Sequence, residues 1–239
     1  MEEFLVVDAF NFTMAAASVA LYSRDESSDY SKVLEAILRS MIRKLQYNFR
    51  GHKVFVVWDT YGGIHFRKEI YPDYKATRDN SKTDFEAVRA CDKVYSEFGC
   101  INVYVPECEA DDAMFVLCKC LREKWYDSHI TIVSRDHDLL QVVQAGYADA
   151  VWDNTKKKFL DVPAYSVVDM KSLTGDPSDN IKGVPGIGPK TAVKILSGFQ
   201  KLDESQTVEF ERCKSIIDAT RHPRFQENTK YIKNNYLDI

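Results

Sequence analysis

Four short apolar runs punctuate the first half of the chain: residues 4–7 (FLVV), 53–58 (KVFVVW), 101–105 (INVYV) and 129–133 (HITIV). All four are short enough to read as strands, and the first, unbroken by polar residues, has the pattern of a buried one. Helical stretches separate them. Residues 30–49 carry Val33, Ile37, Met41 and Leu45 at a spacing of four, residues 83–98 are stopped by Gly99, and residues 109–124 have acid in the first turn and base in the last. Residues 147–152 and 158–160 read as a hairpin around Asn154-Thr155. Strand–helix alternation of this kind predicts an α/β domain with a mostly parallel sheet over residues 1–162. Residues 163–239 read as helical, and no linker separates them from the first part, so the two are expected to pack together.

Three of the runs lead directly into acid: Asp8, Asp59, and the pair Asp136 and Asp138. In open α/β sheets ligands sit beyond the carboxyl ends of the strands, so these carboxylates are expected at one crevice. The helix opening ECEADD adds Glu109, Asp111 and Asp112, and LTGDPSDN adds Asp176 and Asp179. Each piece alone also fits helix caps and solvated turns. Together they do not, because two carboxylates about 4 Å apart repel by roughly 4 kcal/mol at an effective dielectric near 20. Oxygen ligands without Cys or His suit Mg²⁺ or Mn²⁺ rather than zinc, and two such ions are a standard device for phosphodiester hydrolysis.

Two further segments bear on nucleic acid. HFRKEIYPDYKATRDNSK interleaves aromatics with bases, a mixture suited to a single strand or an unpaired base and equally found on ordinary surface loops. GVPGIGPKTA places Gly183, Gly186 and Gly188 ahead of a helix starting at Pro189 or Lys190. Its spacing is neither that of a P-loop nor that of a dinucleotide fingerprint; it matches a helix-hairpin-helix loop, which grips a DNA backbone without reading bases.

The net charge of −4 does not exclude a nucleic-acid partner, since acid concentrated in a metal site leaves lysine elsewhere. Six cysteines show no CxxC or zinc-type pattern, the first residues are not a signal peptide, and no apolar run approaches the ~18 residues of a membrane span. Reduced thiols in a cytoplasmic protein, of a bacterium or a phage-infected host, are the expectation.

The motifs VVDAFN, VVWDT, FRKEIYPDYKATR, ECEADD, SRDHDLLQ and LTGDPSDNIKGVPGIGPKTA occur in that order from Phe4 to about Leu196. In this the chain resembles the 5′-nuclease family: flap endonucleases, the 5′→3′ exonuclease domain of bacterial DNA polymerase I, and free-standing phage or bacterial exonucleases. The resemblance implies a central sheet with helices, an arch segment at about 65–98 and a helix-three-turn-helix element at about 175–196. It implies one metal group of Asp8, Asp59, Glu109, Asp111 and Asp112 and a second of Asp136, Asp138, Asp176 and Asp179. Lys75 and Arg78 match basic arch residues that contact the scissile phosphate, with Arg67 and Tyr74 beside them. Lys182, Gly183, Gly186, Gly188, Lys190 and Thr191 are implied in duplex binding, with K⁺ at that turn.

Two departures stand out. Ala9 replaces a glycine that is usual after the first motif's aspartate, and FTMAAAS lacks a basic residue that some members carry there. The function expected is a monomeric, divalent-metal-dependent 5′→3′ exonuclease and flap endonuclease. Its substrate would be DNA with a free 5′ end, flap, nick or gap, with RNA primers in RNA/DNA hybrids as a further one. Asp138 and Asp176 are expected to be essential, together with Lys75 and Arg78. The alternatives are a non-catalytic DNA-binding scaffold of the same fold, or an RNase with a related core.

Overall fold

The computed structural model describes residues 1–23, 29–78 and 84–238. The chain opens with β1 (Glu3–Asp8), α1 (Ala9–Ser23), α2 (Tyr30–Asn48) and β2 (Lys53–Trp58). Then come α3 (His65–Ile70), α4 (Phe85–Arg89), α5 (Asp92–Glu97), β3 (Ile101–Tyr104), α6 (Ala110–Lys124) and β4 (His129–Val133). The last part holds α7 (Leu140–Gln144), β5 (Ala150–Asp153), β6 (Lys158–Phe159), α8 (Val167–Thr174), α9 (Pro189–Leu196), α10 (Glu204–Ile217) and α11 (Phe225–Ile232). Among the described residues the strands form a six-stranded sheet in the order β3-β2-β1-β4-β5-β6. All pairs are parallel except β5–β6, the expected hairpin.

β1 shows why its run is unbroken by polar residues. Phe4 and Val6 pack into a core shared with Met114, Leu117 and Leu121 of α6, while Leu5 and Val7 face Leu34, Leu38 and Ile42 of α2. Successive side chains of a strand point to opposite faces, and here both faces are covered by helices. The ends of β1, β2 and β4 that lead into Asp8, Asp59 and Asp136 therefore emerge on one edge of a three-layer sandwich.

The helical part has a small core of its own. Leu173, Val184, Ile187 and Ala192 pack with Met170, Ile195 and Phe210, tying α8, the glycine loop, α9 and α10 together. A second cluster of Tyr71, Tyr74, Ile181, Cys213 and Ile216 joins that part to the basic segment after α3. All six cysteines are buried and free.

Three elements differ from expectation. No element is expected directly after β1, yet α1 is there: its buried positions Ala9, Phe12, Thr13, Ala16, Ala17 and Ala20 have helical spacing, but small residues carry it and blunt the signal. The single helix expected over 83–98 is two short ones, its first residue lying outside the described residues. Val88, Cys91 and Val94 all enter the core at a spacing of three, so the chain tightens between the helices to keep them on one side. The strand expected from 147 begins at Ala150, because the Asp149 carboxylate accepts the Ile130 N–H at 2.7 Å. No helix of the described residues is long and apolar enough to cross a membrane.

Candidate active site

Asp8 is the last residue of β1, and its carboxylate accepts the Asn11 backbone N–H and the Ser134 hydroxyl, each at 2.9 Å. Asp59 follows β2 and accepts the Ala110 N–H at 2.9 Å, which fixes it against the start of α6. Asp111 lies in the first turn of α6. Asp136 follows β4 and caps the next turn by accepting the Asp138 N–H at 2.9 Å. These four carboxylates line one cavity of about 300 Å³, with Lys75, Arg78 and Arg135 at its walls, so Asp136, expected with Asp138, Asp176 and Asp179, stands instead beside Asp8, Asp59 and Asp111.

Their electrostatics are unusual. Burial, with the charges of Asp59 and Asp136 added, pushes the Asp8 carboxyl up to about 7. Burial and then Asp136 and Asp8 push Asp111 well above the carboxylate range, and burial raises Asp59 as well. None of the four forms an ion pair among the described residues.

Asp138, Asp176 and Asp179 form the neighbouring group, their oxygens within 4.8 Å of one another. Lys171 of α8 bonds to both Asp138 and Asp176, the latter at 2.7 Å. Asp176 also accepts the Ser178 N–H at 2.9 Å and its hydroxyl at 2.6 Å. Burial acts to raise Asp176, but Lys171 and Ser178 outweigh it and hold the carboxyl low. Asp138 follows its buried position and Asp136 instead, and rises to about 7. Asp179 accepts from Tyr74 Oη at 3.1 Å and Arg78 at 2.7 Å.

Glu109 and Asp112 are placed differently from the expected ligand set. Both oxygens of Asp112 are taken by Arg67, at 2.6 and 2.8 Å, and Glu109 bonds to Arg67 at 2.7 Å, to Tyr74 at 3.1 Å and to Lys75. Asp112 is 1% exposed and does not line the cavity of Asp8, Asp59, Asp111 and Asp136. The reason is helical geometry: residues three apart share a face, and that face meets α3 rather than the crevice. A carboxylate oxygen of Asp112, the Cys108 sulfur and a ring nitrogen of His222 also lie within 4.8 Å of one another. His222 Nδ1 accepts the Arg224 N–H at 3.1 Å, which puts the proton on Nε2, and Arg67 covers Asp112, so this trio does not suit a cation.

Arg67, expected on the DNA, is 5% exposed; besides the two carboxylates it donates to the Ile216 carbonyl at 2.7 Å. It ties α3, α6 and α10 together. Tyr74 is also buried. Lys75 adopts a left-handed backbone (φ 55°), a conformation that costs a non-glycine residue, and its N–H donates to the Asp179 carbonyl at 2.9 Å. Lys75 and Arg78 are thereby fixed where both carboxylate groups meet.

The glycine loop divides into two parts. A Cβ on Gly183 would lie 2.2 Å from the Gly175 nitrogen, and both residues have positive φ, so Gly183 serves a close backbone contact that seats the Asp176–Asp179 turn. Gly186 (φ 79°) and Gly188, the N-cap of α9, have open space around them, and Lys182 and Lys190 are exposed. This second part fits a phosphate approaching the start of a helix. Lys171, Ser134 and Asn11 were not legible as site residues; only the return of the chain after α8 brings Lys171 to Asp138.

Seven carboxylates from five segments around one crevice, oxygen-only and with four members unpaired among the described residues, fit divalent cations by charge and donor type. The N-terminal resolvase-like domain of 5′-3′ exonucleases matches residues 3–169, and their C-terminal SAM fold matches residues 162–234. The chain belongs to the 5′-3′ exonuclease family. It is 28% identical over 218 residues to a 5′-3′ exonuclease of Halalkalibacterium halodurans, spanning 83% of this chain and 71% of that one. It is 29% identical over 212 residues to the flap endonuclease Xni of Shewanella denitrificans, 84% of this chain and 80% of the relative. The T5 D15 protein, co-crystallised with metal ions, shares the fold with a TM-score of 0.72 at 18% identity, over 98% of this chain and 99% of that one. As a member of this 5′-3′ exonuclease family the chain is a nuclease.

Proposed function

We propose that the protein removes nucleotides from the 5′ ends of DNA and cuts 5′ flaps, acting as a monomer on ends, flaps, nicks and gaps, with RNA/DNA hybrids as a further substrate. The observation that carries this reading is the cavity of Asp8, Asp59, Asp111 and Asp136, four carboxylates from four segments without a cation of their own, flanked by Lys75 and Arg78. Asp8, Asp59, Asp111 and Asp136 would hold one Mg²⁺, and Asp138, Asp176 and Asp179 the second, with Mn²⁺ able to substitute. Such ions supply charge stabilisation of the phosphoryl group and activation of water.

The chain's own residues account for the rest. Lys75 and Arg78 bind the scissile phosphate and stabilise the charge that develops on it, in a setting where fixed donors act strongly. Glu109 and Tyr74 orient Lys75, and Ser134 and the Asn11 N–H orient Asp8. Lys182, Gly186, Gly188, Lys190 and Thr191 receive the duplex backbone, with K⁺ at the turn. Because the Asp179 carbonyl holds the Lys75 N–H, the duplex position and the cut are mechanically linked.

End-labelled flap, nicked, gapped and single-stranded DNA incubated with Mg²⁺ test this directly. Release of one or a few nucleotides from the 5′ end, with flap cleavage near the junction, is expected. Cleavage from the 3′ end, or none that depends on a divalent ion, would sink the reading.

A further inference from the structure

A second cavity, of about 360 Å³, adjoins the first carboxylate group. It shares Asp59, Glu109, Lys75 and Arg78 with the site, but Asp138, Asp176, Asp179 and the glycine loop take no part in its lining. Its remaining wall has a different chemistry. Phe10 and Phe85 stack with ring centroids 5.7 Å apart and planes 14° from parallel, and Phe85 is 38% exposed. Lys68 and Arg89 line the same space, are both exposed, and form no ion pair among the described residues. An aromatic pair left open beside two uncommitted cations is a costly surface for a protein to keep in water unless something covers it. The volume lies in the range of small-ligand pockets.

We infer that this cavity is a subsite for the first nucleotide of the 5′ strand: its base extends the Phe10–Phe85 stack and its terminal 5′-phosphate is bound by Lys68 and Arg89. The inference rests on the nuclease reading and deepens it. Stacking accepts any base, because every base has a π-face, while a terminal phosphate carries more charge than an internal phosphodiester and is better matched by two cations. The position decides the direction. Lys75 and Arg78 line the cavity and no residue of the glycine loop does, so a strand whose duplex rests on that loop and whose scissile phosphate meets Lys75 would continue here. The subsite would make the enzyme favour 5′-phosphorylated ends over 5′-hydroxyl ends when it removes the terminal nucleotide.

Steady-state kinetics on nicked duplexes that differ only in the 5′ terminus test it, with the intact protein and Mg²⁺. The wild type is expected to show a KM about tenfold lower for the 5′-phosphate than for the 5′-hydroxyl substrate. Lys68→Ala combined with Arg89→Ala should bring that ratio close to one. Replacing the first nucleotide by an abasic residue should raise the wild-type KM about fivefold or more, and should add little in Phe85→Ala. Both sets of side chains are exposed, so the variants fold, and a ratio between substrates is not moved by a general loss of stability. Equal KM values for the two termini in the wild type overturn the subsite, as does a ratio that survives in the double variant. Failure of the wild type to cleave either substrate overturns the nuclease reading instead.

Discussion

Asp111 and Asp112 follow one another in the first turn of α6, yet their surroundings are opposite. Asp112 gives both oxygens to Arg67, while Asp111 has no ion pair among the described residues and is pushed well above the carboxylate range by burial and by Asp136. The contrast extends across the crevice. Burial acts to raise Glu109, but Lys75 and Arg67 outweigh it, and Asp176 is likewise held low by Lys171, whereas Asp8 rises to about 7. One kind of carboxylate is neutralised from within and holds the molecule together. The other kind is left in mutual repulsion that only protons or an added cation relieve. Acid count alone does not separate a binding site from a structural network; the internal cations do.

Substitutions of the two neighbours should therefore diverge. Asp111→Asn removes a repelling charge, so kcat on a flap substrate should fall on the order of 10³-fold while the metal-free protein melts at a higher temperature than the wild type. Retained activity, or a lowered melting temperature without metal, would break the comparison. Asp112→Asn should do the reverse to stability. It leaves the buried Arg67 guanidinium with Glu109 as its one remaining carboxylate partner, a loss of about 3 kcal/mol in a denaturant titration. A neutral outcome there would mean that Arg67 finds water or another acceptor.

The sequence carried the frame well and the divergence poorly. Asp8, Asp59 and Asp136 were readable because a buried parallel strand must end at the sheet's carboxyl edge, and the residue after it has one place to go. The Asp176–Asp179 turn and the start of α9 were equally local, set by proline and glycine. What ECEADD did not reveal was which of its acids would meet Arg67, forty-five residues earlier than Asp112, since that depends on how α3 and α10 close on α6. Gly183 shows the same limit: its spacing points to a phosphate, but its neighbour is the Gly175 backbone.

Lys171 offers a smaller test, because it sits between the two kinds. Its ammonium bonds to Asp138 and Asp176 and so stands where a cation would be expected. Lys171→Met should tighten divalent-ion binding by calorimetry by about a factor of ten, since no ammonium has to be displaced. Weaker binding would instead show that Lys171 holds the carboxylates in place for the ion.

The smallest effect is the most diagnostic of the carboxyls that are raised, and its sign follows from proton linkage. Asp8 and Asp138 ionise near 7 in the folded chain against 3.8 for an ordinary aspartate. Between about pH 4 and pH 7 the folded protein therefore keeps protons that the unfolded chain has released. Unfolding releases protons across that window, so stability falls as pH rises and levels off above about 7. Chelator-treated protein should melt a few degrees lower at pH 7.5 than at pH 5.5, a shift consistent with the size of such contributions. With Mg²⁺ present the order should reverse, because ionised carboxylates are the form that binds the ion. A metal-free melting temperature that climbs from pH 5.5 to 7.5 would show that Asp8 and Asp138 are neutralised by a route other than protons, and that the two kinds of carboxylate in this crevice are one.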